Sequence, residues 1–203
     1  MRKTATGRGN RDSKRKLIQE KKVILIICEK GNQTERIYFK KFRNFRTSVI
    51  IIPTTKVTKP EKLIEYAIEK SKMENYDSVW CVFDVDANSN QNIHQAKQLA
   101  DRHDIQIAVS NPSFEFWYLL HYEDCRRALT NPELLIELSR VLPDYSKTDE
   151  NTFYTIQQGQ NCAISRAGKI NEYHIANGNG IYTRESNPST QVHTLVVDIM
   201  KMT

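Results

Sequence analysis

Nothing in this 203-residue chain approaches the roughly 20 consecutive apolar residues needed to cross a bilayer. Its first residues also lack the apolar core of a signal peptide. A soluble, cytoplasmic protein with no membrane partner is expected. Cysteine is scarce and scattered: Cys28, Cys81, Cys125 and Cys162 form no C-x-x-C pair, which removes the commonest zinc and redox patterns. Cys28 and Cys81 sit inside apolar runs, where a thiol behaves as a small hydrophobe, and a reducing cytosol suits all four. The five histidines (His94, His103, His121, His174, His193) show no metal-ligand spacing such as H-x-x-x-H and read as structural or surface residues. No repeat is visible, and the length suits one domain of ordinary size able to bury a substantial core.

Most of the chain also lacks net charge. Residues 1–22 carry nine Lys or Arg against only Asp12 and Glu20, a net of +7, while the other 181 residues carry 21 basic and 22 acidic groups. The overall +6 is therefore a property of one end. With Gly7, Gly9, Asn10 and Ser13 and almost no apolar residues, this segment cannot bury enough surface to fold alone and reads as a flexible basic arm. Arg11, Lys14, Arg15 and Lys16 are its candidate phosphate contacts, with a solvated, solubilising tail as the alternative.

What is present from residue 23 onward is a regular alternation. "VILIIC" (23–28) is a continuous β-branched run, as in a strand buried on both faces of a parallel sheet. "TERIYFKKFRNF" (34–45) puts Ile37, Tyr38, Phe42 and Phe45 on one helical stripe behind Thr34 as N-cap. "VIII" (49–52) is a second strand, and Pro60 opens a helix whose Leu63, Ile64, Ala67 and Ile68 face the sheet. "VWCVF" (79–83) is a third strand, 93–100 another helix, and "IQIAV" (105–109) a fourth strand. Right-handed crossovers then give an α/β fold with a mostly parallel four-stranded sheet flanked by helices. Residues 111–203 read as a helical completion of the same domain, with helix starts at Pro112 and Pro132, a turn at 177–180 and a closing amphipathic helix. The expected organisation is an arm, 1–22, and a domain, 23–203, with its core in 23–110.

Acids end two of the strands. Glu29 follows the first, and Asp84 and Asp86 close the third in "VWCVFDVDANSN". Ligands of open parallel sheets bind beyond the carboxyl ends of the strands, so these acids are expected to converge there. Residues two apart on an extended segment point to the same side, which lets Asp84 and Asp86 present oxygens to one hard cation. Mg2+ (or Mn2+) suits a few carboxylates, waters and substrate phosphate oxygens. Glu29 would then act as general acid or base, or as a further ligand. The alternative is ordinary solvated turn formers at strand ends. Glu35 in a first helical turn is read preferentially as an acid favoured by the helix dipole, with a second-metal ligand as the other option. Trp117, Tyr118 and Tyr122 are read as core ahead of base-stacking residues.

A Glu after the first strand and a D-x-D after a later one resemble the Toprim fold. The blocks "ILIICEKGNQTERIYFKKF", "VWCVFDVDA", "AVSNPSFEFWYLLHY", "LPDYSK" and "NPSTQVHTLV" are similar, in order and context, to those of the RloB-like, restriction-linked family over roughly residues 23–200. The resemblance implies Glu29 as the catalytic acid, Asp84 and Asp86 as metal ligands, Glu115 as a further carboxylate of the site, and Lys147, with Lys30, as phosphate contacts. It also implies a phage-defence, abortive-infection role beside an AAA-type ATPase. One departure is plain: the family places Gly directly after the catalytic Glu, whereas here Lys30 intervenes before Gly31.

Among Toprim chemistries, 203 residues leave no room for the tyrosine domain of a topoisomerase or the template modules of a primase. Phosphodiester hydrolysis needs only metal, carboxylate and water. A metal-dependent nuclease acting on DNA or RNA is therefore the first expectation, and a homo-oligomer is compatible with it. A non-catalytic module that docks nucleic acid or an ATPase is the alternative. A haloacid-dehalogenase-like phosphatase is the weaker one, since Asn88 stands where its motif wants Thr or Val, and on the third strand rather than the first.

Overall fold

The structure is a computed structural model describing residues 21–29, 33–54, 59–85 and 88–202. The basic arm, including Arg11, Lys14, Arg15 and Lys16, lies outside the described residues, as do Lys30, Gly31 and Asp86. Lys22, grouped with the arm by charge, opens the first strand, where its Nζ lies 2.7 Å from Asp77.

The alternation read from the sequence is the architecture. β1 (Lys22–Cys28), α1 (Gln33–Lys40), β2 (Thr47–Pro53), α2 (Pro60–Ser71), β3 (Ser78–Asp84), α3 (Asn90–Arg102) and β4 (Gln106–Asn111) follow one another. Then come α4 (Glu115–Leu119), α5 (Asn131–Val141), α6 (Thr152–Ile156), α7 (Gln160–Ala176), a short β5 (Ser189–Thr190) and α8 (Val192–Lys201). The sheet order is β2-β1-β3-β4-β5, with the first four strands parallel and β5 antiparallel to β4.

The sheet thus has five strands where four were expected. β5 is only two residues long and polar, so it carries no periodic signal. Thr190 Oγ1 meets Ser110 Oγ at 3.0 Å, and Gln191 Oε1 accepts the Val109 amide at 3.2 Å. This hydrogen bonding covers an edge that would otherwise be open to pairing with another chain.

Alternate residues of each strand feed two cores. Ile24, Ile26 and Cys28 of β1 face one side with Tyr38 and Phe39 of α1 and the helices after residue 114. Leu25 and Ile27 face the other side with Leu63, Ile64 and Ala67 of α2 and Ile93, Ala96 and Ala100 of α3. Burial on both faces is why the strands read as unbroken apolar runs. Pro60 occupies the start of α2 as expected.

Two details of α1 correct the sequence expectation. The helix runs Gln33–Lys40, so Thr34 lies inside its first turn and is not its N-cap. The chain leaves the helix before Phe45, whose ring is 83 % exposed and off the buried stripe. A turn closed by the Asn44 side chain, whose Oδ1 accepts the Arg46 and Thr47 amides, redirects the chain into β2.

Candidate functional site

The order of the strands locates the crevice. From β1 the chain moves outward to β2 and then returns past β1 to β3, so connections leave in opposite directions from the β1/β3 boundary. In open α/β sheets this reversal separates the loops at the carboxyl ends and leaves a crevice between them. Glu29 follows β1, its amide donating to the Val82 carbonyl at 3.3 Å, and Asp84 is the last residue of β3, in register with Ser110 of β4. The two acids therefore flank the switch point from adjacent strands. Glu29 is half-buried and borders a narrow cleft with Lys59, Pro60, Leu63 and Phe83; Asp84 is half-buried with its Oδ1 atom inside.

Two further carboxylates come to the same end of the sheet from elements far apart in sequence. Glu115 opens α4 and is 3 % exposed, with Ser113 Oγ donating to its Oε2 at 2.8 Å and Tyr145 Oη to its Oε1 at 2.9 Å. The Lys147 ammonium stands 3.3 Å from the same Oε1. Burial alone would push this carboxyl up, but Ser113, Lys147, a backbone amide and Tyr145 together hold it below its ordinary value. Glu115 is thus kept as an anion under a lid of donors.

Glu35 has the opposite fate. It is 2 % exposed in the first turn of α1, and desolvation pushes its carboxyl up to about 8 against the help of its own backbone hydrogen bond. The charges of Glu115 and Glu29 push in the same direction, while Lys147 opposes them. Glu29, Glu115 and Lys147 are thus each within electrostatic reach of Glu35, and Lys147 stands beside Glu115. Thr34 Oγ1 lies 3.4 Å from Tyr145 Oη and ties α1 to the loop that carries Lys147.

The preference for Glu35 as a plain helix-dipole acid is not sustained. An exposed first-turn acid keeps a low pKa, and this one is buried among like charges. The available signal was its place in "CEKGNQTE", one loop beyond Glu29, on a helix whose apolar face must turn its first residues inward.

The donors gathered here are carboxylate and hydroxyl oxygens, the ligand chemistry of Mg2+ or Mn2+ rather than of zinc or copper. Among the described residues no three His, Cys, Asp or Glu already form a metal-holding group. Glu29 and Asp84, with Asp86 beyond the described residues, would hold such an ion, with Glu35 and Glu115 behind them.

The histidines divide between surface and interior: His94 and His103 are exposed, while His121 and His174 are buried. His121 is buried with Nδ1 2.8 Å from the Trp117 carbonyl, and desolvation pulls it down to about 4; His174 Nε2 meets the Pro188 carbonyl at 2.9 Å. Trp117 and Tyr118 are core residues, 0 % and 2 % exposed.

The raised Glu35 carboxyl predicts a pH effect with a definite sign. Between about 4.5 and about 8 the folded protein holds a proton that the unfolded chain has released, so this group's contribution to stability is full below pH 4.5 and is lost as pH rises through about 8. Without divalent cations, the urea midpoint is expected to fall from pH 5 to pH 8 more in the wild type than in Glu35→Gln. Equal slopes in the two proteins would remove the assignment.

The chain thus defines a class: an open, mostly parallel α/β sheet with acids at the carboxyl ends on both sides of its switch point. Comparison with protein families matches residues 24–199 to the RloB-like protein family. The match spans most of the sequence, and the chain belongs to the RloB-like family. No curated protein and no solved structure gives a significant match. Among the described residues no helix is long and apolar enough to cross a membrane.

Proposed function

We propose that this RloB-like protein is a Toprim-type, metal-dependent nuclease that cleaves phosphodiester bonds, working in phage defence beside an AAA-type ATPase. The observation that supports the proposal is the meeting of Glu29, Glu115 and Lys147 around Glu35, with Glu29 and Asp84 following adjacent strands on the two sides of the switch point. Titratable groups perturbed by burial and by one another, at the position where such sheets take ligands, support a functional site.

When bound, Mg2+ or Mn2+ supplies Lewis-acid polarisation of the phosphoryl oxygen and a water of lowered pKa. The protein's own groups supply the rest. Glu29 and Asp84 orient the reacting centre from adjacent strands. Glu115, held ionised by Ser113 and Tyr145, accepts a proton or steadies a cation. Lys147, its side chain 65 % exposed at the rim, meets phosphate charge. Glu35, protonated near neutrality in the cation-free protein, can release that proton as positive charge arrives.

The test uses the full chain with labelled DNA and RNA, alone and with the neighbouring ATPase, in Mg2+ or Mn2+ and in EDTA. Cleavage dependent on the divalent ion is expected. Strand scission undiminished in EDTA would remove the metal, and release of phosphate from a small phosphoester in place of strand scission would move the protein to the phosphatases.

A further inference from the structure

The exposed face of α1 carries cations that the site described above does not use. Arg36, Lys40 and Arg43 follow one another at helical spacing directly after the buried Glu35, and all three are exposed. Among the described residues none of the three has a carboxylate partner, and Lys41 lies 3.5 Å from Glu150. These residues line two cavities. One, of about 350 Å³, is walled by Arg36, Ile37, Lys40, Arg43, Ile51 and Glu150. The other, of about 450 Å³, includes Lys41, Phe42, Arg43, Phe153, Tyr154 and Gln160. Arg43 lines both, so the two cavities adjoin along α1 and the turn that follows it.

One exposed aromatic ring lines the second cavity and another lies beyond the turn that follows α1. Tyr154 is 60 % exposed with the Lys41 ammonium 5.0 Å from its centroid, and Phe45 is 83 % exposed with the Arg46 guanidinium 5.1 Å from its ring. Rings so exposed contribute little to the core. A row of cations that follows a backbone, with rings beside it on which bases can stack, is the chemistry that holds a single strand without reading its sequence.

We infer that these adjoining cavities form one groove that holds a single-stranded nucleic acid segment, with Arg36, Lys40 and Arg43 on phosphates and Tyr154 stacking on a base. The inference rests on the nuclease proposal for its purpose, but the binding it asserts is measurable without cleavage. Arg43 also donates Nε to the Val49 carbonyl at 2.6 Å, so it serves the fold and is left intact in the test.

The full chain is titrated in EDTA against a short fluorescein-labelled single strand, by anisotropy at several salt concentrations. The double variant Arg36→Glu, Lys40→Glu is expected to bind about tenfold more weakly, with the slope of log affinity against log salt shallower by roughly one to two. Tyr154→Ala is expected to lose about fivefold or more. Lys72→Glu, Arg102→Glu makes the same charge change on the opposite face of the sheet and is expected to bind as the wild type does. That control separates the groove from the basic arm, which responds to both pairs alike.

Equal weakening by both pairs, or by neither, overturns the groove. A duplex bound as tightly as the single strand, with no effect of Tyr154→Ala, overturns the single-strand assignment. Displacement of the strand by polyglutamate better than by a nucleic acid of equal charge makes the occupant an acidic protein. The two proposals fail separately: a wild type that binds through the groove and cleaves nothing in Mg2+ loses the nuclease and keeps the track. A double variant that cleaves normally and binds normally loses the track and keeps the nuclease.

Discussion

Asp84→Ala is expected to lower divalent-dependent cleavage by about a thousandfold, because a metal-held transition state loses several kcal/mol when a carboxylate ligand is removed. The fold should survive. Asp84 ends β3 and pairs with Ser110 through the backbone, which alanine preserves, and its side chain is only half-buried. Glu29→Gln keeps the shape of the neighbouring side chain while removing its charge, and a loss of similar size is expected. Single-turnover rates for both variants, with thermal unfolding as the control for folding, make the comparison. Undiminished cleavage in both, with unfolding temperatures unchanged, would detach the switch-point acids from the chemistry.

The two halves of the site were legible in the sequence to different degrees. Glu29 and Asp84 could be placed because they stand at the ends of strands, and the direction of a parallel strand fixes the rim at which its last residue emerges. Glu115 and Lys147 entered through resemblance, since no periodicity brings residues 115 and 147 beside residue 29. The contact that does so is made by Tyr145, donating to Glu115 while lying against Thr34 of α1. Glu35 reads from sequence as an acid favoured by the helix dipole, because a first-turn carboxylate looks the same in sequence whether its turn faces water or a neighbouring chain segment.

The fold followed the same division. The four parallel strands were readable from unbroken apolar runs, since burial on both faces leaves no polar gaps. β5 was not, since its pairing depends on Ser110, Thr190 and Gln191 exchanging hydrogen bonds across about 80 residues of sequence. The exposed position of Phe45 depends on a turn built by Asn44 that ends the helical stripe early. The cations of the groove lie in plain sequence as "ERIYFKKFR", yet they become a groove only when Glu150 and Tyr154, more than 100 residues later, form its other wall.

Tyr38→Ala should be the most destabilising single change among the residues that hold the site in place. The ring is fully buried, and six others surround it: Phe39, Phe42, Phe114, Trp117, Tyr118 and Phe153, with centroids 5.2–6.4 Å away. These come from α1, α4, α6 and the adjoining turns, so one side chain joins the helix bearing Glu35 to the helix bearing Glu115. Truncation leaves a cavity that this many rings cannot collapse into and is expected to cost about 3–5 kcal/mol. Tyr38→Phe keeps the ring and removes only the hydroxyl, which donates to Gln160 Oε1 at 3.3 Å; about 1 kcal/mol is expected. Chemical denaturation of the two variants separates the contributions. If packing around Tyr38 sets the spacing of Glu35 and Glu115, Tyr38→Ala should also weaken cleavage under conditions where it remains folded, while Tyr38→Phe should leave the rate near that of the wild type. Equal stability losses in the two variants would place the effect in the hydroxyl, and leave the aromatic cluster without a part in shaping the site.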